Sequence, residues 1–222
     1  MKKTHVDRLF DIGNIVFMAF ILFVMAFPLY FTIIASISEP REVALGNVVL
    51  IPRGFTLEAY ENVFKNEEIW LGYRNSLYYT FFGTLFNLVL TIPTAYVLSK
   101  KDLPGRSVIS WIFLFTMYFS GGLIPTYLLI KGIGLLDRPY TLVILGGLSV
   151  FNLVVTRVFF ESNIPGTLYE AAYIDGSSEF RTFFTIALPL SAPIVAVMAL
   201  YYAVGHWNDY FTALVYTSSR EY

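Results

Sequence analysis

Residues 12–38 read IGNIVFMAFILFVMAFPLYFTIIASIS, with no Asp, Glu, Lys or Arg among them. An α-helix needs about 20 predominantly apolar residues to cross the hydrocarbon core of a bilayer, so this run is long enough to span one. The same absence of charge recurs at 75–99, 107–130, 139–156 and 182–208. In a chain with 14% charged residues, a 25-residue window is free of charge by chance only about 2% of the time. The repetition decides the fold class: an all-α integral membrane protein. Transmembrane helices are expected over 12–38, 75–99, 107–130, 139–160 and 190–212. The fourth runs past Arg157 because a long basic side chain near a helix end can snorkel to water.

Composition narrows the function. Soluble domains carry about 25% charged residues, well above the level here. The absence of Cys excludes disulfides, thiolate zinc or iron–sulfur sites and thiol catalysis. The two His lack partners at metal-ligand spacing, so no metal and no cofactor is expected. A net charge of −1 gives no electrostatic footprint for nucleic acid. Ten-residue alternation of apolar and polar positions, the mark of a membrane β-barrel, is not seen. The first apolar run is too long for a cleaved signal peptide.

Lys2, Lys3 and Arg8 precede the first run, and Lys100, Lys101 and Arg106 are packed between the second and third. Dense basic clusters next to spans mark the cytoplasmic side. The tail 1–11, the loop 100–106 and the connection 161–189 are therefore expected inside. The segments 39–74, 131–138 and 213–222 are then expected outside. Within 39–74, Thr56 can cap a short amphipathic helix, with Phe55 and Tyr60 at the two staple positions. That helix suits a membrane surface, a partner or plain packing equally.

The connection 161–189 has more specific punctuation. Ile164-Pro165-Gly166 ends the fourth span and a helical stretch follows over 168–174. Gly176 breaks it, being free to take the left-handed conformation. Ser177 or Ser178 can cap the next helix, and Pro189 and Pro193 favour a bend before the fifth span. A helix, Gly turn and helix between two spans offers surface to a soluble partner; a re-entrant or simply amphipathic connection is the other reading.

These residues also carry a resemblance. Glu170-Ala171-Ala172, Gly176, Ile186 and Leu188-Pro189 match the EAA signature of ABC importer permeases at every fixed position. Arg74-Asn75-Ser76, the run 121–127 (GGLIPTY) and the run 207–211 (WNDYF) resemble the MalG-like, carbohydrate-type branch. The likeness is nearest to the LplC/YtcP type associated with oligosaccharides derived from polysaccharides. The resemblance implies an ABC importer type I permease core, with a sixth transmembrane helix expected beyond residue 222. It implies a multi-pass protein of the bacterial cytoplasmic membrane. Its partners would be a second permease subunit in a heterodimer, two ABC ATPase subunits, an extracytoplasmic sugar-binding protein, a carbohydrate substrate and membrane lipid.

On that resemblance Glu170, Ala171, Ala172, Asp175, Gly176, Ile186, Leu188 and Pro189 form the ATPase-coupling element. Glu170 would contact the ATPase, Gly176 make the turn, and Ile186, Leu188 and Pro189 anchor the element to the fifth span. The chain has no G-x-x-x-x-G-K-[ST] phosphate loop, so it is expected not to be an enzyme and ATP hydrolysis to sit on a separate subunit. Trp207, Asn208 and Asp209 are candidates for the substrate path. An aromatic with amides and carboxylates suits a sugar, and an interfacial Trp with a hydrated carboxylate is the plain alternative. Asn87, Thr91, Thr94 and Asn152 are read as packing more readily than as a path. An ion-coupled secondary transporter and an intramembrane enzyme remain as other classes; neither has the mid-membrane ionisable groups such proteins use.

Overall fold

The computed structural model describes residues 5–219 and divides into two compact units, 1–70 and 71–222. The tail residues Lys2 and Lys3, and the last three positions 220–222, lie outside the described residues. The first unit is dominated by α1 (His5–Ser36), which covers nearly all of the first charge-free run. Its apolar side chains are exposed along its length, as on a helix meant for lipid or another helix. The chain then folds back on the end of α1. Buried Ser38 donates to Ile34 O (2.6 Å) and accepts from the Arg53 amide (3.2 Å), while the Thr56 amide donates to Ile37 O (3.1 Å). After a short α2 (Pro40–Ala44) comes α3 (Glu58–Lys65), the expected amphipathic helix. Thr56 Oγ1 accepts from the Glu58 amide at 3.1 Å, one position ahead of the cap site, which Leu57 occupies.

The second unit is built around α4 (Glu67–Ser99), whose 33 residues make a rod of about 50 Å, longer than the hydrocarbon core. Then follow α5 (Arg106–Tyr118), α6 (Leu123–Gly132), α7 (Pro139–Ile144) and α8 (Val150–Asn163). The loop helices α9 (Gly166–Ile174) and α10 (Glu179–Thr182) lead through a π-helical turn, Phe183–Ala187, into α11 (Leu188–Leu190). The chain closes with α12 (Ala192–Trp207) and α13 (Tyr210–Tyr216). Among the described residues, α1 and α4 alone are long and apolar enough to cross a membrane unbroken.

The other expected spans are interrupted, each for a visible reason. The run 107–130 bends by 112° between α5 and α6. Gly122 turns the corner at φ +83°, ψ 175°, a conformation nearly confined to glycine. The run 139–160 is split at 145–149: Gly146 takes φ +73° and Ser149 caps α8 by accepting from the Asn152 amide. The entry to the fifth span bends by 78° at Ser191, flanked by Pro189 and Pro193 as anticipated. The buried Ser191 hydroxyl donates to Ala187 O (2.6 Å), covering a carbonyl at the bend. Arg157 has polar partners of its own: its guanidinium donates to Glu161 Oε1 (2.8 Å) and Ser110 Oγ (3.1 Å), and Arg106 binds the same carboxylate. These charges tie the start of α5 to the end of α8.

The core lies between α4, α8 and α12. Ile92, Ala95, Tyr96 and Leu98 of α4 pack with Leu153 and Phe160 of α8 and with Phe183 and Ala187. Ile194, Met198 and Tyr202 of α12 meet Leu88, Val155 and Phe159. Polar residues are threaded through this core, and they bind neighbouring elements. Asn87 Nδ2 donates to Gly146 O (2.9 Å), leaving Asn87 Oδ1 to accept from His206 Nε2 (2.7 Å). The Ser149 amide donates to the Tyr202 hydroxyl (3.2 Å), which shares a hydrogen bond with the Thr91 hydroxyl (2.7 Å). Two rungs thus join α4, the 145–149 break and α12.

Gly83 makes room for the first rung. A Cβ there would stand 2.4 Å from His206 Nε2, and the ring cannot swing away without leaving Asn87. We predict that Gly83→Ala costs about 1–3 kcal/mol, the range for overpacking a filled core. The measurement is thermal unfolding of the purified subunit in detergent, with a fall of about 2–4 °C per kcal/mol. An unchanged transition would show that the ring moves freely.

Candidate functional site

Two places carry the residues singled out in the sequence. The first is the connection from α9 to α11. At the end of α9 the Gly176 amide donates to Tyr173 O (3.0 Å) and the Ser177 amide to Ala172 O (2.9 Å). This pair of bonds is a Schellman cap, which requires a left-handed residue, and Gly176 supplies it at φ +72°. Ser178 then caps α10, accepting from the Arg181 amide at 3.3 Å. The turn is therefore bonded on both sides of Gly176.

The motif residues divide by exposure. Ala172 is buried against the bundle, and Ile186 and Leu188 are half-buried beneath the loop. Glu170, Ala171, Asp175 and Gly176 face outward, and so does Pro189. Beside them stand Tyr173, Ile174 and Phe180, 81%, 83% and 76% exposed.

Below the surface an aromatic cluster supports the loop. Tyr96 of α4 lies 5.0 Å from Phe183, 5.9 Å from Tyr169 and 5.7 Å from Phe160, ring centroid to centroid. The Tyr96 hydroxyl donates to Glu179 Oε2 (3.0 Å). Lys100 Nζ sits 3.5 Å from the Tyr169 ring centre and 3.6 Å from Glu179 Oε2. The Tyr169 hydroxyl is buried without a partner, and burial, with Glu179 adding to it, pushes its pKa up to about 12. The ring stays neutral and offers its π face to the ammonium, a contact worth about 0.5–2 kcal/mol. None of Tyr96, Lys100, Tyr169 and Glu179 was singled out for this in the sequence. The one local trace is Tyr96 and Lys100 at i, i+4, which share a helix face.

The second place is a cavity of about 500 Å³ at the far end of α12, where Trp207, Asn208 and Asp209 line up with Asn75, Ser76 and Tyr79 of α4. The structure thus brings the three candidates together. Two have local duties: Asn208 donates to Val204 O (2.8 Å) at the end of α12, and Asp209 Oδ1 caps α13 by accepting from the Thr212 amide (3.1 Å). Trp207 is half exposed and has its ring free to meet a ligand.

Nearby, Asp137 holds the segment after α13. Its Oδ1 accepts from the Ser219 and Ser218 amides, each at 2.9 Å, and its own amide donates to Tyr216 O (3.0 Å). Those backbone bonds lower the Asp137 pKa below its usual 3.8. With the folded value depressed, the anchor is complete above the ordinary carboxylate range and is lost as pH falls through the folded value. We predict fast amide exchange at Ser218 and Ser219 in Asp137→Ala at pH 7. In the wild type the same release occurs only in acid below about 3.8. Slow exchange in the variant would mean other contacts hold the segment.

Among the described residues, the all-helical chain with two unbroken apolar helices and two bent pairs fits a multi-pass membrane protein. The family described as "Binding-protein-dependent transport system inner membrane component" matches residues 69–220, and the chain belongs to it. Protein LplC of Bacillus subtilis (strain 168) is 40% identical over 216 residues, 97% of this chain and 73% of that protein. The polygalacturonan/rhamnogalacturonan transport system permease protein YtcP of the same organism is 40% identical over 210 residues, 95% and 73% of the two chains. A solved bacterial ABC transporter involved in the import of the acidic polysaccharide alginate is similar at a TM-score of 0.95 and 33% identity. The match covers 100% of this chain and 79% of that one. The protein is an inner-membrane permease subunit of a binding-protein-dependent ABC importer, a membrane channel component and not an enzyme. The secondary-transporter alternative is set aside.

Proposed function

We propose that this subunit forms half of the path by which an oligosaccharide derived from an acidic polysaccharide enters the cell. The substrate class is inferred from the names of its relatives, one a polygalacturonan/rhamnogalacturonan permease and one an alginate importer. The supporting observation is the doubly capped turn at Gly176, which presents Glu170, Tyr173, Ile174 and Phe180 on a rigid support. On this reading α9 seats in an ATPase subunit, and ATP hydrolysis occurs there. ATP-driven movement of that subunit displaces the loop, and the outward-facing state is favoured because it contacts the ATP-bound ATPase better. The loops 100–106 and 161–189 are then cytoplasmic, the N-terminus with them. The cavity beside Trp207 opens on the outer side, where the sugar-binding protein delivers its load to this subunit and a second permease.

The test is ATPase activity of the assembly in lipid, with its binding protein loaded with oligogalacturonides, alginate oligomers or a neutral oligosaccharide. Stimulation by an acidic oligomer supports the substrate class, and stimulation by the neutral one alone refutes it. Gly176→Val adds a Cβ that meets no atom within 4 Å, so its cost is confined to the backbone, about 1–2 kcal/mol. It should leave insertion of the spans intact and lower the unfolding transition by only a few degrees, while reducing uptake at least about tenfold. Normal uptake would defeat the coupling role. Trp207→Ala should alter the order of preference among the oligomers without reducing basal ATPase; an unchanged order would remove Trp207 from the path.

A further inference from the structure

We propose that Lys100 is a positioning residue for coupling, a single cation that holds both arms of the loop to the end of α4. The inference rests on reading 166–190 as the coupling element. Lys100 follows the last residue of α4, and its amide still donates to Val97 O (3.2 Å), so its backbone moves with that helix. Its ammonium reaches Tyr169, on α9 before the Gly176 turn, and Glu179, on α10 after it. It also lies 4.7 Å from the Tyr96 ring centre, and Tyr96 donates to the same Glu179 oxygen. A push on α9 or α10 therefore reaches α4 through one side chain as well as through the aromatic packing.

The partners are not equal. Glu179 is 77% exposed and Lys100 only 19%. An ion pair open to water on one side contributes little. The half-buried Tyr169 face, approached to 3.5 Å, is the stronger tie. The Tyr169 hydroxyl has no partner to lose. The proposal therefore orders the variants: Lys100→Met and Tyr169→Leu are damaging, Glu179→Gln is mild, and Tyr169→Phe and Lys100→Arg are tolerated. A simple packing role would give another order, since Met keeps most of the lysine stem and Arg is bulkier.

The experiment uses the full assembly in nanodiscs and vesicles. Deuterium exchange is read over 166–182, and uptake of the oligomer that stimulates ATPase is read per ATP hydrolysed. In Lys100→Met and Tyr169→Leu, exchange over 166–182 should accelerate by about three- to tenfold, the scale of a lost cation–π contact. Exchange over 150–163 should be unchanged, and Lys100→Arg should restore the wild-type pattern. Uptake per ATP should fall about fivefold or more, the low end of coupling between sites. Unchanged exchange in Lys100→Met overturns the proposal. So does faster exchange with wild-type uptake per ATP, in a background where Gly176→Val abolishes uptake. If Gly176→Val also transports normally, the coupling reading itself has failed, and the role of Lys100 with it.

Discussion

A stretch of irregular backbone inside an apolar bundle must find its hydrogen-bond partners within the protein, since lipid offers none. Residues 145–149 meet that condition, and the packing of the second unit follows from how they do so. Gly146 O accepts from Asn87 of α4, and the Ser149 amide donates to Tyr202 of α12. Thr91 and His206 complete the rungs. Once these bonds exist, α4 and α12 are held on either side of the break. The close passages at Gly83 and Gly147 are then forced, because a Cβ at either would meet His206 or Phe86 at 2.4 Å or 2.8 Å.

The charge-free runs were legible because membrane crossing leaves a mark on every residue of a segment. Local turns were legible for a similar reason. Gly176 and the two prolines act through their own backbone and Ser178 through a cap within its own turn, and the structure has them doing so. The breaks in the third and fourth runs fall at glycine pairs, a signal with no single meaning, since such a pair serves a corner at Gly122 and close packing at Gly147. What no local pattern could reveal was the pairing of distant polar groups. Asn87 with His206, Thr91 with Tyr202 and Lys100 with Tyr169 join positions far apart in the chain. Each residue alone resembles any polar side chain near a helix.

The loop from α9 to α11 is stiff around Gly176 and exposed at Glu170, Tyr173, Ile174 and Phe180. Its stiffness comes from caps on both sides of Gly176 and from three aromatic rings around Tyr96. The exposed apolar residues are confined to the outer face, with Ala172 turned inward as the close contact to the bundle. A small residue at that position lets α9 lie near the core, which is a packing reason for an alanine that the motif alone would assign to the partner.

The cavity near Trp207 obeys the opposite economy. Asn208 and Asp209 spend their side chains on ending α12 and starting α13, so they hold the cavity's edge in place before any ligand arrives. A site whose rim is already bonded loses little freedom on binding, and affinity then depends on the surfaces left open. The same cavity is lined by the half-exposed Trp207 ring and by Asn75, Ser76 and Tyr79 of α4. On the proposed reading, an aromatic ring with hydroxyls and an amide suits the two kinds of surface a sugar presents, and selectivity would sit on α4 as much as on the Trp-Asn-Asp run.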